Sequence, residues 1–217
     1  MSTHHNRMPV ATGEAAPDFS LPAIHRDGMV SLSDYKGRCA LLLVIFRGLY
    51  CPFCRRAVAQ FSAMNDKLRQ AGVEPLAVVA TDADNARLYF RHRPAKVSLA
   101  ADPACSIHLA YGLPSMVMDE HLVQALGAVK INPTGELPQP MSLLEAAPAL
   151  NRIDGYTPND TDQRDMQRQG AQVKGQFLLD RNGVVRWSNI ECANDGLAGF
   201  GRFPTEDELL GALRVLH

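Results

Sequence analysis

Two sulfurs one helical turn apart, Cys51 and Cys54 in Tyr50-Cys51-Pro52-Phe53-Cys54, are the groups in this chain best placed to do chemistry. They follow the apolar run Ala40 to Phe46 and precede a helical pattern from Arg55 to Gln70. A Cys-x-x-Cys pair at a strand-to-helix junction sets its first sulfur at the helix N-terminus. Unpaired backbone N–H groups and the positive end of the helix dipole favour thiolate over thiol there. Arg47, Arg55 and Arg56 add cations around the pair, which act in the same direction. Such a thiolate attacks a disulfide or a peroxide, and a second thiol beside it closes a disulfide behind the reaction. Cys51, at the helix start, is the expected nucleophile and Cys54 the resolving thiol. Pro52 suits the first helical turn and keeps it rigid, while Tyr50 and Phe53 flank the motif.

The competing interpretation is a structural pair, or half of a zinc site. Zinc needs a second ligand pair, and neither another Cys-x-x-Cys nor a His-x-x-x-His follows, so no metal is expected. Cys39 and Cys105 are expected to behave as small buried hydrophobes. Cys192 lies after the last strand pattern, where a distant resolving role would be redundant beside Cys54. Arg47 either supports the thiolate or is a solvated strand-end residue; Arg55 and Arg56 are expected as surface charges, one of them near the sulfur. Trp187 suits a core or edge position, and His4 and His5 have nothing near them to complete a metal site. No glycine-rich phosphate loop follows any strand pattern, so no nucleotide or other cofactor is expected.

The elements that must position the pair come from hydrophobic periodicity. Ala16 to Pro22 and Met29 to Leu32 alternate across Arg26-Asp27-Gly28, which predicts a hairpin. Residues 40–46 are apolar in succession, as a parallel strand buried on both faces should be. Ala57, Val58, Phe61, Met64 and Leu68 predict one helix after the cysteines, ended by Gly72. A strand over 73–80, a helix over 82–91, a strand over 97–100 and a helix over 103–111 follow. Strands alternating with helices imply βαβ units and a central parallel sheet. Residues 113–172 lose regularity, with weak helical patterns at 118–126 and 141–150 and the polar run Asn159 to Gln172. Pattern resumes in a hairpin, 176–179 and 184–187 around Asp180-Arg181-Asn182-Gly183, and in a helix opened by the capping box Thr205 to Glu208.

A length of 217 residues therefore fits a loose tail over 1–12 and a single domain over 13–217 with one insertion, about 113–172. Because that insertion leaves near Gly112 and returns at Lys174, it is expected to cover the Cys51 end of the sheet and limit what enters. Net charge is −1, so no basic field recruits nucleic acid or an anionic membrane. The longest apolar run is far too short to span a bilayer. The polar start Met1 to Arg7 lacks the apolar segment of a secretory signal. Five cysteines are too few for a disulfide scaffold, and the expected compartment is cytoplasmic.

The order of elements resembles the thioredoxin fold in its peroxiredoxin elaboration. Ala16-Pro17-Asp18-Phe19-Ser20-Leu21, Leu99 to Pro103 leading to Ala110-Tyr111-Gly112, and Gly175 to Gly183 are similar to the alkyl hydroperoxide reductase/thiol-specific antioxidant family. Phe46 to Arg55 resembles a peroxiredoxin-like subgroup that carries a thioredoxin-type Cys-x-x-Cys. The likeness covers about residues 13–112 and 173–217 and implies a mixed α/β sheet flanked by helices.

Departures bear on mechanism. Peroxiredoxins place Thr or Ser three residues before the reacting Cys and Pro four residues earlier; counting back from Cys51 gives Gly48 and Val44, and from Cys54 gives Cys51 and Arg47. Thioredoxins place Asp six residues before their first Cys, here Ile45, and a cis-Pro before the strand at 176, where Val173-Lys174-Gly175 stands. Lys174 matches the place of an Arg that supports the thiolate in peroxiredoxins; its alternative is an exposed loop lysine. The resemblance implies a thiol–disulfide oxidoreductase using Cys51 and Cys54, or a thiol-dependent peroxidase with Cys51 peroxidatic. A non-catalytic redox-sensing module is the third alternative. A disulfide or peroxide substrate and an external thiol reductant such as thioredoxin or glutathione are implied, and a homodimer stays open.

Overall fold

In the computed structural model, which describes residues 8–216, the apolar run after Cys39 becomes the middle strand of the principal sheet. The N-terminal hairpin pairs β1 (Ser20–Pro22) with β2 (Met29–Ser31). Then come β3 (Ala40–Phe46), α1 (Pro52–Ala63), α2 (Asn65–Gln70), β4 (Val73–Val79), α3 (Ala83–His92), β5 (Ser98–Ala101) and α4 (Ser106–Ala110). The insertion holds β6 (Ser115–Met116), α5 (Glu120–Ala128), β7 (Lys130–Ile131), β8 (Met141–Ser142), α6 (Leu143–Asp154), α7 (Asp160–Gln169) and β9 (Ala171–Gln172). The chain ends in β10 (Gly175–Leu179), β11 (Val185–Ile190) and α8 (Glu206–Ala212).

Five strands form the main sheet in the order β11-β10-β3-β4-β5. β3, β4 and β5 run parallel, and β10 is antiparallel to both β3 and β11. This mixed sheet with helices on both faces is the thioredoxin-like arrangement implied by the resemblance. Side chains on a strand alternate between faces, and β3 uses both. Leu42, Val44 and Phe46 enter the core shared with α1, α3 and α8. Leu41, Leu43 and Ile45 enter the opposite core with α4, the hairpin and Val10.

Several expectations change in detail. The single helix after the cysteines is two, interrupted at Met64, with α1 starting at Pro52. Arg55 is not a surface charge but 5% exposed. The polar run at 159–172 hides a helix, α7, with a capping box between Asn159 and Asp162. Its buried positions are Asp162, Asp165 and Gln169, so an apolar periodicity search finds nothing there. Residues 8–12, assigned to the tail, are docked: Val10 is 2% exposed and its N–H donates to the Tyr111 carbonyl at 3.2 Å. Residues 1–7, including His4 and His5, lie outside the described part. Cys39, Cys105 and Cys192 are half-buried, not core. No helix among the described residues is long and apolar enough to cross a membrane.

Gly112 shows how tightly the N-terminal segment is held. Its φ is +68°, and a Cβ there would lie 2.3 Å from the Met8 carbonyl oxygen. Gly72 has a similar φ of +75° but open space around it. Gly72→Ala is therefore expected to cost about 1 kcal/mol from backbone strain alone, and Gly112→Ala at least about 2 kcal/mol, because overpacking adds to strain. Urea unfolding of both variants measures the difference; equal losses would mean that the N-terminal crossing contributes nothing.

Candidate active site

β3 delivers its last residues into a tight connection, and α1 begins immediately beyond it. Cys51 is the N-cap of α1, with extended backbone, and its Sγ accepts the Cys54 N–H at 3.3 Å. Pro52 opens the helix, where a missing N–H costs nothing. Both cysteines are free thiols, Cys51 4% and Cys54 2% exposed. Phe53 packs edge-on against Phe200 with ring centres 5.9 Å apart.

A buried charge set surrounds the sulfur. Arg47 forms a two-pronged salt bridge to the Glu191 carboxylate, one arm at 3.2 Å from Oε1, and donates to the Gln172 carbonyl at 2.8 Å. Its guanidinium also lies 4.4 Å from the centre of the Phe200 ring. Glu191 accepts the Gly201 N–H at 2.8 Å and the Lys174 N–H at 3.3 Å. Lys174 Nζ sits 3.2 Å from Glu191 Oε1, yet it has no aligned hydrogen-bond acceptor among the described residues. That contact is Coulombic, and it leaves the ammonium protons undirected. Arg47 is thus buried and not solvated, and Lys174 is buried and not an exposed loop residue.

Two cations and one anion leave this set one positive charge in excess, and a Cys51 thiolate balances it. Burial by itself pushes the Cys51 thiol up; the Cys54 hydrogen bond and the nearby Arg47 and Lys174 outweigh that and bring it well below the usual thiol range. Cys54 moves the other way, raised by burial and then by its donation toward Cys51 and the charge there. Glu191 is likewise pushed up by burial, but Arg47 and Lys174 hold its carboxyl at about 2. At an effective dielectric near 20, an ion pair at this separation is worth about 5 kcal/mol gross. Two cations on one carboxylate are enough to keep it ionised despite desolvation.

Arg55 and Arg56 are committed elsewhere. Arg55 donates to the Leu49 carbonyl at 2.7 Å, to Asn151 at 2.7 Å and to Asp154 at 2.8 Å, and stacks on Tyr156. Arg56 pairs with Asp154 and Glu136. Both arginines fasten α1 to the insertion. Tyr50 packs over Gly48, and its hydroxyl is buried without a hydrogen-bond partner among the described residues.

Above Cys51 lies a cavity of about 580 Å³. Its floor is Arg47, Tyr50, Cys51, Pro52 and Phe53, and Phe200 closes one side. The insertion supplies the opposite wall: Leu143, Ala147, Pro148 and Asn151 from α6, then Pro158 and Met166 at α7. The surface is mainly apolar, with Arg47 the one cation in its lining. No group of His, Cys, Asp or Glu among the described residues could hold a metal ion.

Glu191 escaped the sequence reading. It follows an edge strand and carries no local signal, and only the β10–β11 pairing brings it under Arg47, 144 residues away in sequence.

Comparison with known proteins agrees with this fold. The AhpC/TSA family model matches residues 12–188, and the chain belongs to that family. It is 24% identical over 192 residues to a peroxiredoxin of Thermoplasma volcanium, covering 87% of this chain and 70% of that protein. It is 27% identical over 107 residues to the chloroplastic peroxiredoxin Q of Oryza sativa subsp. japonica, covering 49% of this chain. The match spans about half the length, 48%, of that rice protein. The structure of peroxidoxin BcpB from Mycobacterium tuberculosis superposes with a TM-score of 0.58 at 12% identity, covering 97% of each chain, and so shares the fold.

The charge balance makes a testable claim. Lys174→Met leaves Arg47 and Glu191 as a neutral pair, so a thiolate would become an unbalanced buried anion. The pH midpoint of Cys51 alkylation is expected to rise by about two units, read by peptide mapping after short iodoacetamide pulses; an unmoved midpoint would remove Lys174 from the site. Glu191 has a second signature. Its folded carboxyl is depressed from 4.5 to about 2, so its stabilisation is complete above the unfolded value and is lost as pH falls through the folded one. Between those two values the wild type should lose up to about 3 kcal/mol from this group. Glu191→Gln should start less stable and show a shallower acid loss in urea titrations.

Proposed function

We propose that this AhpC/TSA-family chain is a dithiol peroxidase for small organic hydroperoxides, with Cys51 as the attacking thiolate and Cys54 as the resolving thiol. The observation that carries this reading is the position of Cys51, itself buried, on the floor of a half-open, mainly apolar cavity walled on one side by the insertion. A flat protein disulfide cannot approach a sulfur that is 4% exposed beneath α6 and α7, whereas an alkyl hydroperoxide suits both the volume and the surface. On that ground the peroxide reading is put ahead of disulfide exchange, which the sequence placed first.

The chemistry balances without a cofactor. The Cys51 thiolate attacks the distal peroxide oxygen, an S–O bond forms, the O–O bond breaks, and the departing alkoxide takes a proton to become an alcohol. Cys51 is then a sulfenic acid. Cys54 attacks that sulfur, the S–O bond breaks, and hydroxide leaves with the Cys54 proton as water. The resulting disulfide is reduced by two electrons from an external thiol of the thioredoxin or glutathione class. Arg47 and Lys174 hold the thiolate, while Glu191 orients Arg47 through two hydrogen bonds and balances Lys174 by charge alone.

A second reading, reduction of small disulfides, draws on Gly48. Three residues before Cys51 there is no hydroxyl to bind a peroxide oxygen. Steady-state assays with cumene hydroperoxide, hydrogen peroxide, a small aromatic disulfide and insulin separate the cases. The expectation is a kcat/KM for cumene hydroperoxide at least about tenfold above that for insulin, a difference of about 1.4 kcal/mol in barrier. Cys51→Ser should abolish turnover. Cys54→Ser should stop after one turnover, leaving a sulfenic acid that dimedone traps. Preferred turnover of the small disulfide would establish the second reading, and equal turnover of insulin would sink both.

A further inference from the structure

What covers Cys51 is also what holds its segment in place. α7 faces the body of the protein with Asp162, Asp165 and Gln169, so polar bonds seat it. Gln169, at its C-terminal end, makes two of them. Its Oε1 accepts the Gly48 N–H at 2.9 Å, and its Nε2 donates to the Ala80 carbonyl just beyond β4. Gly48 belongs to the connection between β3 and α1 that carries both Arg47 and Cys51. Three residues after Gln169, the Gln172 carbonyl takes a hydrogen bond from Arg47 at 2.8 Å, and two residues further on comes Lys174. One stretch at the exit of the insertion therefore grips the Gly48 amide and the Arg47 guanidinium and supplies the second cation.

The same helix is weakly fixed. Asp165 is buried in the seated position and its carboxyl is pushed up by that burial, which penalises seating. Two glycines with positive φ bracket the segment: Gly155, at +58°, ends α6, and Gly170, at φ +53° and ψ −122°, ends α7. The Gly170 conformation is accessible in practice only to glycine. Few buried apolar contacts and glycine-bounded ends mark the low-stability parts of a fold.

We propose that Gln169 is a latch that couples the roof of the pocket to the reactivity of Cys51. With α7 seated, Gln169 locks the Cys51 segment and, through Gln172, Arg47 in the arrangement that favours the thiolate. With α7 lifted, the pocket opens and the thiol relaxes toward ordinary behaviour. Substrate enters the open form and meets the fully activated sulfur only on closure. This rests on the part of the proposed function that makes Cys51 the reacting thiol, not on the peroxide. The charged and titratable groups facing Cys51 are Arg47 and Tyr50 from its own connection, Cys54 from α1, Lys174 before β10 and Glu191 after β11. Asp162 lines the cavity wall but is bonded by Asn85, Tyr156 and Asn159, and His108 is buried near Arg47. Of these, Arg47 is the cation tied directly to the α7 exit.

The experiment is the pH dependence of Cys51 alkylation in wild type, Gln169→Met and Arg164→Ala. Methionine keeps the length of the side chain and loses both bonds, while Arg164 lies on the exposed face of α7 and bonds Thr161 within the helix. Gln169→Met is expected to raise the alkylation midpoint by about one pH unit, slowing labelling about tenfold below it. It should also raise the high-pH plateau several-fold, because the sulfur is less covered. Arg164→Ala should reproduce wild type. A raised plateau with an unmoved midpoint would overturn the coupling, and two unchanged quantities would overturn the latch altogether. Hydrogen exchange on the unaltered protein keeps the claim testable should the variant fold poorly. The Gly48 amide and the α7 amides should exchange through one common opening, at the frequency with which a bulky maleimide labels Cys51; independent openings overturn the proposal. Alkylation needs no peroxide, so absent peroxide turnover with the crossed pH profiles intact would leave the latch standing and remove only the substrate reading.

Discussion

The buried salt bridge of Arg47 with Glu191, joined by Lys174, is the constraint on which the rest of this structure depends. It brings together the end of β3, the approach to β10 and the residue after β11, none of which is a neighbour of the others in sequence. Burying three charges is costly unless each finds a partner of opposite sign. The set meets that condition only when a fourth charge, on Cys51, is present. Folding and the ionisation of one thiol are therefore a single problem here. The helix N-terminus contributes to the same end, since the Cys54 N–H points at the sulfur.

Two glycines on the elements that carry Lys174 and follow Glu191 are fixed by close contacts. A Cβ at Gly175 would lie 2.5 Å from Leu113, and one at Gly201 would lie 2.7 Å from Phe53. At Gly175 the backbone passes close to the core on the far face of the sheet; at Gly201 it passes against Phe53, which lines the Cys51 pocket, and its amide is one of the donors that hold Glu191. Close backbone approach substitutes for side-chain packing at both positions.

The insertion gives the pocket its distinct character. A thioredoxin-like sheet by itself leaves the sulfur at the sheet's carboxyl edge open to large partners. Here α1 is tied to the insertion by Arg55 and Arg56 through Asp154, and α7 by Gln169 to the connection that carries Cys51. The insertion thus both walls the pocket above Cys51 and holds, through Gln169 and Gln172, the connection that carries Cys51 and Arg47.

What the sequence determined by itself was the Cys51–Cys54 pair, its place at a strand–helix junction and the strand–helix alternation that yields a sheet sandwiched by helices; that the sheet is mixed came from the family resemblance. Each of these is local: periodicity, a cap and a proline act within a few residues. The Phe46 to Arg55 and Gly175 to Gly183 stretches were enough to place the family. Tertiary structure alone decided the rest. Glu191 and Gln169 carry no local pattern, and their roles arise from partners more than a hundred residues away. α7 was invisible for a related reason, because its buried face is polar and hydrophobic periodicity is blind to it. Arg47 and Lys174 could be charged surface residues in any sequence. They became buried cations because strand pairing across β3, β10 and β11 left them no water and one shared carboxylate.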